Sequence, residues 1–225
     1  MPRLRYYDLF IDVSEYNPAN IKRVLLMAKH LGYRVIAIPF PPKDPENKTS
    51  VILNIARKIG INAFFRVDIT KRKKINLDSI KIYSIEAYTE NDFRRALRDR
   101  DANVITLSFS VFSDILTPEN INLLMQFPGK HIEVTLKDII FASPTERVQS
   151  LSKFFRKVKL ANKPTLPLFF SSKASDVTEM LSPRAIRSFL KLIGFREETI
   201  IKCLIDQPRA LLDLPMKAIL VEEVG

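Results

Sequence analysis

The feature that most constrains the fold is an alternation. Apolar runs of strand length recur along the chain, each followed by a longer segment with helical periodicity. Strand-like runs read at residues 6–13, 33–39, 62–69, 80–87, 103–109, 131–136 and 165–170, with a weaker eighth at 217–224. Several are almost continuously apolar, the pattern of parallel strands covered on both faces. The helical segments between them carry their own start and stop signals. Asn17-Pro18 offers a cap and a first-turn proline, Ile21, Val24, Leu25, Ala28 and Leu31 follow at helical spacing, and Gly32 ends the run. Residues 49–59 repeat the scheme before Gly60, with Ile52, Ile55, Ala56 and Ile59 facing inward. Thr89, Thr117-Pro118 and Ser182-Pro183 open further helices. Ser143 and Glu146 have capping-box spacing, and the helix they open is predicted to bury Val148, Leu151, Phe155 and Val158.

Strand–helix–strand units at this spacing demand a parallel sheet with right-handed crossovers. Seven or eight of them predict a closed, TIM-like (β/α) barrel of the α/β class, with extra helices at the C-terminus. A doubly wound open sheet is the alternative. A chain of 225 residues, 46% hydrophobic, is enough for one core, and no interdomain linker interrupts it, so residues 1–225 read as a single domain. The proline-rich stretch 39–48 has the length of a strand-to-helix loop. No apolar run reaches the ~20 residues that span a bilayer. The N-terminus lacks a signal-peptide core. A cytoplasmic protein without membrane contact is expected.

Several chemistries are disfavoured by residue counts. Only five glycines occur, too scattered to form a dinucleotide or P-loop phosphate cradle. Cys203 is the single cysteine, so neither an intrachain disulfide nor a cysteine-built zinc site is available. The two histidines, His30 on the first helix and His131 at the start of a strand, sit away from the strand ends where barrels do chemistry. Those ends present Asp12, Asp68, Glu86, Ser108, Ser110 and the Ser171-Ser172 pair. Their carboxylates could bind Mg²⁺ or Mn²⁺, but helix capping or pairing with loop lysines is the commoner use of such acids.

Charge points to a partner. Lys and Arg number 36 against 25 Asp and Glu, a net charge of +11. Basic residues also cluster. Lys71, Arg72, Lys73 and Lys74 are consecutive. Arg94, Arg95 and Arg98 share one helix. Lys153, Arg156, Lys157, Lys159 and Lys163 fall in a stretch with no acid. Arg184, Arg187 and Lys191 occupy one helix face, opposite Ile186, Phe189, Leu190 and Ile193. One such cluster is usually a solvated helix face. Four on a +11 chain indicate a polyanion bound through phosphates, by shape and charge and not by base reading.

Three stretches resemble a known family, the barrel-shaped protein component 3 of archaeal and eukaryotic ribonuclease P. They are Tyr7-Asp8-Leu9-Phe10-Ile11-Asp12, Gly129-Lys130-His131-Ile132-Glu133-Val134, and the stretch from Phe169-Phe170-Ser171-Ser172-Lys173-Ala174-Ser175 to Glu179-Met180-Leu181-Ser182-Pro183-Arg184. The last is similar to the family's serine–serine–glycine–alanine loop and the arginine–serine–proline–arginine helix start after it. Lys173 stands where the family usually has glycine and Leu181 where it usually has arginine, while Arg184 is kept. The family is related to the polymerase-and-histidinol-phosphatase metal phosphoesterases, whose first strand ends in a histidine–x–histidine pair. Here those positions hold Phe10 and Asp12.

The resemblance implies a subunit that binds ribonuclease P RNA and pairs with a small ferredoxin-like subunit among other ribonuclease P proteins. In that assembly the RNA removes the 5′ leader of precursor tRNA with Mg²⁺, and the chain binds no cofactor and holds no metal or catalytic residue of its own. The expected RNA contacts are Arg184, Lys173, Arg187, Lys191, Lys71, Arg72, Lys73, Lys74, Arg94, Arg98, Arg156 and Lys157. Two other readings are a stand-alone metal-dependent phosphoesterase using Asp8, Asp12, Asp68 and Glu86, and a basic protein scaffold that binds no RNA.

Overall fold

The apolar runs pair side by side in the order in which they occur. In the computed structural model, which describes residues 6–13, 16–41, 45–69 and 80–213, the strands are β1 (Tyr6–Asp8), β2 (Tyr33–Pro39), β3 (Asn62–Asp68), β4 (Ile80–Glu86), β5 (Val104–Ser108), β6 (His131–Thr135) and β7 (Leu168–Ser171). All neighbouring pairs are parallel, in the order β1 to β7. The sheet curls until its two edges meet beyond the ends of β1 and β7. There the Lys173 N–H donates to the Phe10 carbonyl and the Asp12 N–H to the Ala174 carbonyl, both at 2.8 Å, and Ile11 bridges Ala174. The result is a seven-stranded, nearly closed barrel among the described residues. The eighth strand expected at 217–224 lies outside them.

Helices wrap the barrel: α1 (Pro18–Leu31), α2 (Pro45–Ile59), α3 (Glu90–Arg98), α4 (Phe109–Ile115), α5 (Pro118–Leu124), α6 (Lys137–Phe141), α7 (Pro144–Phe155), α8 (Val158–Ala161), α9 (Pro183–Leu192), α10 (Glu197–Ile201) and α11 (Gln207–Asp213), the last two joined by a π-helical turn. The caps read in the sequence form. Asn17 accepts from the Asn20 N–H at 2.8 Å, and Gly32, at φ 102°, adopts the left-handed conformation that ends α1. Reciprocal capping boxes join Thr89 to Asp92 and Ser143 to Glu146. Such a cap contributes about 1 kcal/mol.

The barrel interior is layered. Tyr7, Val35, Ile82, Val104 and Phe169, from the early parts of their strands, form one apolar cluster that Leu211 of α11 joins. The last described helix thus plugs the N-terminal end of the barrel. The interior layer above is polar, and the site is built there.

One expectation is overturned. Of the four residues predicted to face inward on α7 and just beyond it, Val148 is 62% and Phe155 49% exposed, whereas Phe154 is fully buried. Adjacent helical residues point about 100° apart, so only one of the two phenylalanines can face in. Phe154 takes the inner place because the rings of Phe109, Phe112 and Phe195 surround it, with centroids 5.2–6.2 Å away.

Candidate nucleic-acid interface and barrel mouth

Two charged residues interrupt otherwise apolar strands and meet inside the barrel. Arg66 of β3 and Glu133 of β6 are both buried and join in a two-pronged ion pair, Nη1 to Oε1 at 2.9 Å and Nη2 to Oε2 at 2.8 Å. The surroundings supply further partners. Arg66 also donates to the Leu9 carbonyl at 2.7 Å and to the Thr106 hydroxyl at 3.0 Å. Glu133 accepts from the hydroxyls of Thr106 at 2.7 Å and Ser171 at 2.8 Å. The Phe10 ring stacks on the guanidinium, 3.7 Å from centroid to Cζ. Strands β3, β5, β6 and β7 and the segment after β1 are tied at one point. Losing one partner of such a pair costs about 3–5 kcal/mol, because the other charge is stranded in low dielectric. Sequence reasoning did not single out Arg66 or Glu133 as a pair. The available signal was an opposite charge in each of two runs, Phe64-Phe65-Arg66-Val67 and Ile132-Glu133-Val134, where an unpaired charge would not be tolerated.

Above this pair opens a cleft of about 230 Å³, walled by Phe10, Tyr16, Phe40, Asp12, Asp68 and Glu86 among others. Lys173 reaches over its edge, donating to Glu86 at 2.9 Å and lying 5.3 Å from the Phe10 centroid. Lys173 has φ 51°, the left-handed region, which costs a non-glycine residue ~1 kcal/mol. Tyr88 donates its hydroxyl to the other Glu86 oxygen at 2.6 Å, and that bond pushes the phenol up to about 12. Among the described residues no group of three or more His, Cys, Asp or Glu side chains is placed to hold a metal ion. Among the described residues, the carboxylates of this mouth share it with the Phe10 ring and with two cations, the buried Arg66 guanidinium and the Lys173 ammonium.

Asp8 does not belong to the mouth. Its carboxylate lies in the seam between β1 and β7, where Oδ1 accepts from the N–H of Ser172 at 3.1 Å and of Phe10 at 3.3 Å. A side chain thereby supplies an acceptor where the two strands do not pair. Oδ2 is buried without a hydrogen-bond partner. Burial pushes the Asp8 carboxyl up to about 6, against the hydrogen bonds from Ser172 and Phe10, and the Glu133 charge adds a smaller push.

The basic residues separate by what they touch. Lys157 donates to the carbonyls of Ser113 and Asp114 at the end of α4, and Lys153 pairs with Asp114 at 2.9 Å. Arg94 pairs with Glu90 at 2.6 Å and Arg187 with Glu197. Lys173 is held by Glu86. Arg98, Arg156, Lys159, Arg184 and Lys191 are exposed and make no ion pair or side-chain hydrogen bond among the described residues. Lys71, Arg72, Lys73 and Lys74 lie outside the described residues. The carboxylate that could have braced Arg184, Glu179, is engaged elsewhere, by Lys137 and by the Ser175 N–H, both at 2.7 Å. At the start of α9, Ser182 caps the Ala185 N–H at 3.1 Å and Pro183 occupies the first turn, as the sequence predicts.

The sequence model of the family described as RNase P subunit p30 matches residues 5–216. The chain belongs to this family. As an RNase P subunit p30 protein it is a protein component of ribonuclease P, a ribonucleoprotein endonuclease of tRNA processing. No curated protein sequence matches it. Among solved structures, a chain in the cryo-EM structure of archaeal ribonuclease P with mature tRNA superposes with a TM-score of 0.72 at 16% identity, over 97% of this chain and 98% of that one. An amidohydrolase from Mycoplasma synoviae superposes with a TM-score of 0.53 at 11% identity, over 93% of this chain and 87% of that one. At these identities both likenesses concern the fold. The RNase P p30 chain therefore shares its barrel fold with that amidohydrolase, and in this chain the buried Arg66–Glu133 pair floors the cleft at the barrel mouth.

Proposed function

We propose that this RNase P p30 protein is an RNA-binding subunit that performs no hydrolysis itself. It supports removal of the 5′ leader from precursor tRNA by the catalytic RNA, which uses Mg²⁺, while the chain binds no cofactor. Its partners in this reading are ribonuclease P RNA, precursor tRNA within the holoenzyme, and other ribonuclease P proteins, including the small ferredoxin-like subunit implied by the family resemblance. The cytoplasm is the proposed site of action. The observation that carries the reading is the Arg66–Glu133 pair. It fills the barrel centre with a neutral, multiply hydrogen-bonded unit, which supports a scaffold role over a catalytic one. RNA contact is assigned first to Arg98, Arg184 and Lys191, whose charges no carboxylate offsets among the described residues, and next to Lys71–Lys74; Arg156, expected from the sequence to touch RNA, stands instead beside the exposed apolar residues of α7. Arg94, Lys157, Lys173 and Arg187 contribute less, because each already serves a partner within the chain.

Reconstitution tests this. Ribonuclease P RNA and the partner subunits are assayed on precursor tRNA with and without the chain, and activity should rise when it is added. The purified chain is assayed separately on phosphoesters with Mn²⁺, Zn²⁺ or Mg²⁺, and no turnover is expected. Turnover that disappears in Asp12→Asn and Asp68→Asn would replace this reading with that of a metal-dependent phosphoesterase.

A further inference from the structure

Helix α7 carries more apolar residues than the fold buries. The inner face is firmly held. Phe154 sits in the aromatic cluster of Phe109, Phe112 and Phe195. Arg147 clasps the carbonyls of Ile139, Ile140 and Ala142 at 2.7–3.1 Å, and Lys153 and Lys157 fasten the helix to the end of α4. The outer face is therefore presented by a fixed element. It carries Val148 and Phe155, 62% and 49% exposed, two helical turns apart on one side, and Phe141, on the turn that Arg147 clasps, is 57% exposed. Single exposed apolar residues are ordinary, but two on one side of a helix held this firmly, with a third at the end of α6 before it, form a candidate interaction surface. Val148 and Phe155 read as part of a buried stripe in the sequence, and among the described residues both are left exposed.

The charge beside this face indicates its occupant. Residues 147–163 contain no Asp or Glu. Lys153 and Lys157 are engaged within the chain, while Arg156 and Lys159 at the end of the stripe are exposed and without ion pairs among the described residues. We infer that this face of α7 docks a protein subunit of the same ribonucleoprotein, one whose contact surface is apolar and flanked by carboxylates. The inference rests on the ribonuclease P reading above and adds the surface and the chemistry of the partner. RNA fits less well, because a phosphate backbone gains nothing from Val148 or Phe141. A second copy fits less well, because it would bring Arg156 and Lys159 of two chains, each of net charge +11, against one another.

The test titrates the full chain and its Val148→Ser/Phe155→Ser double variant against each of the other ribonuclease P protein subunits, and separately against ribonuclease P RNA. One subunit should lose about tenfold or more in affinity, the scale of a lost apolar anchor. RNA affinity should be unchanged, and the melting temperature of the isolated variant should not fall, since both side chains are exposed. Arg156→Glu should weaken the same protein complex. If every subunit that binds does so equally to variant and parent, the docking surface is elsewhere, while the ribonuclease P reading stands. A fall in RNA affinity alone assigns the face to RNA and overturns the inference. Faster hydrogen exchange in α7 on removal of residues 214–225 would make the chain's own tail the occupant and overturn it as well. A parent chain that binds neither RNA nor any subunit defeats the ribonuclease P reading itself.

Discussion

Arg184 and Arg66 show how one residue type serves two ends. Arg66 is buried and spends its donors on Glu133, Thr106 and the Leu9 carbonyl, so its charge is invisible outside. Arg184 begins α9 beside the Ser182 cap, is exposed, and has no carboxylate partner among the described residues. A guanidinium so placed can grip a phosphate with two parallel hydrogen bonds, which an ammonium cannot reproduce. Arg184→Ala should weaken RNA binding by about 1–3 kcal/mol, the scale of charge-assisted hydrogen bonds, and Arg184→Lys should recover only part of that. Filter binding with ribonuclease P RNA gives the affinity, and a thermal melt checks the fold, which should be intact because the buried face of α9 is formed by Ile186 and Leu190. A large drop in melting temperature with RNA affinity per folded molecule unchanged would make Arg184 a structural residue.

Between elements, the one pair of neighbouring strands not joined by ladder hydrogen bonds among the described residues is β1 and β7, where Asp8 bridges backbone groups that no strand pairing satisfies. Its carboxyl is raised from 3.8 to about 6 by burial, so the folded state holds a proton that the unfolded chain releases. The sign follows: between about pH 4 and 6 the folded state binds more protons, and this group's contribution to stability falls as pH rises, by on the order of 3 kcal/mol in all. Asp8→Asn keeps an acceptor for Ser172 and Phe10 but cannot ionise. Relative to the parent, the variant should gain stability at pH 7.5 over pH 4.5 in urea melts. A parent–variant difference that is the same at both pH values would show that Asp8 does not titrate as its burial dictates. This seam was only partly legible in the sequence. The run 6–13 reads as one strand, but pairing ends at Asp8 because the chain then crosses toward Lys173 and Ala174, and a crossing between residues more than 160 positions apart leaves no local pattern. The caps at Asn17, Thr89, Ser143 and Ser182 were legible because they are local. The two faces of α7 were not, since periodicity marks both phenylalanines as apolar and only the ring cluster from α4 and Phe195 decides which is buried.

At the scale of the whole molecule the charge of +11 is distributed unevenly in its effect. Arg66, Lys157, Lys173 and Arg187 are engaged by groups of the chain itself, whereas Arg98, Arg184 and Lys191, away from the apolar patch of α7, leave fields directed only at solvent among the described residues. Unpaired surface cations gain most from a polyanion, because each phosphate they neutralise releases condensed counterions. If about 4–6 phosphates are covered, log K against log salt concentration should have a slope of roughly −3 to −5 for ribonuclease P RNA. Arg184→Ala should make that slope shallower by about one, since it removes one phosphate contact. Arg187→Ala should change it less, as Glu197 already screens that charge. The measurement is a set of binding isotherms across salt concentrations for parent and variants. High affinity with a slope near zero would show that the exposed cations are not the contact surface, and that RNA is held through groups other than the basic clusters.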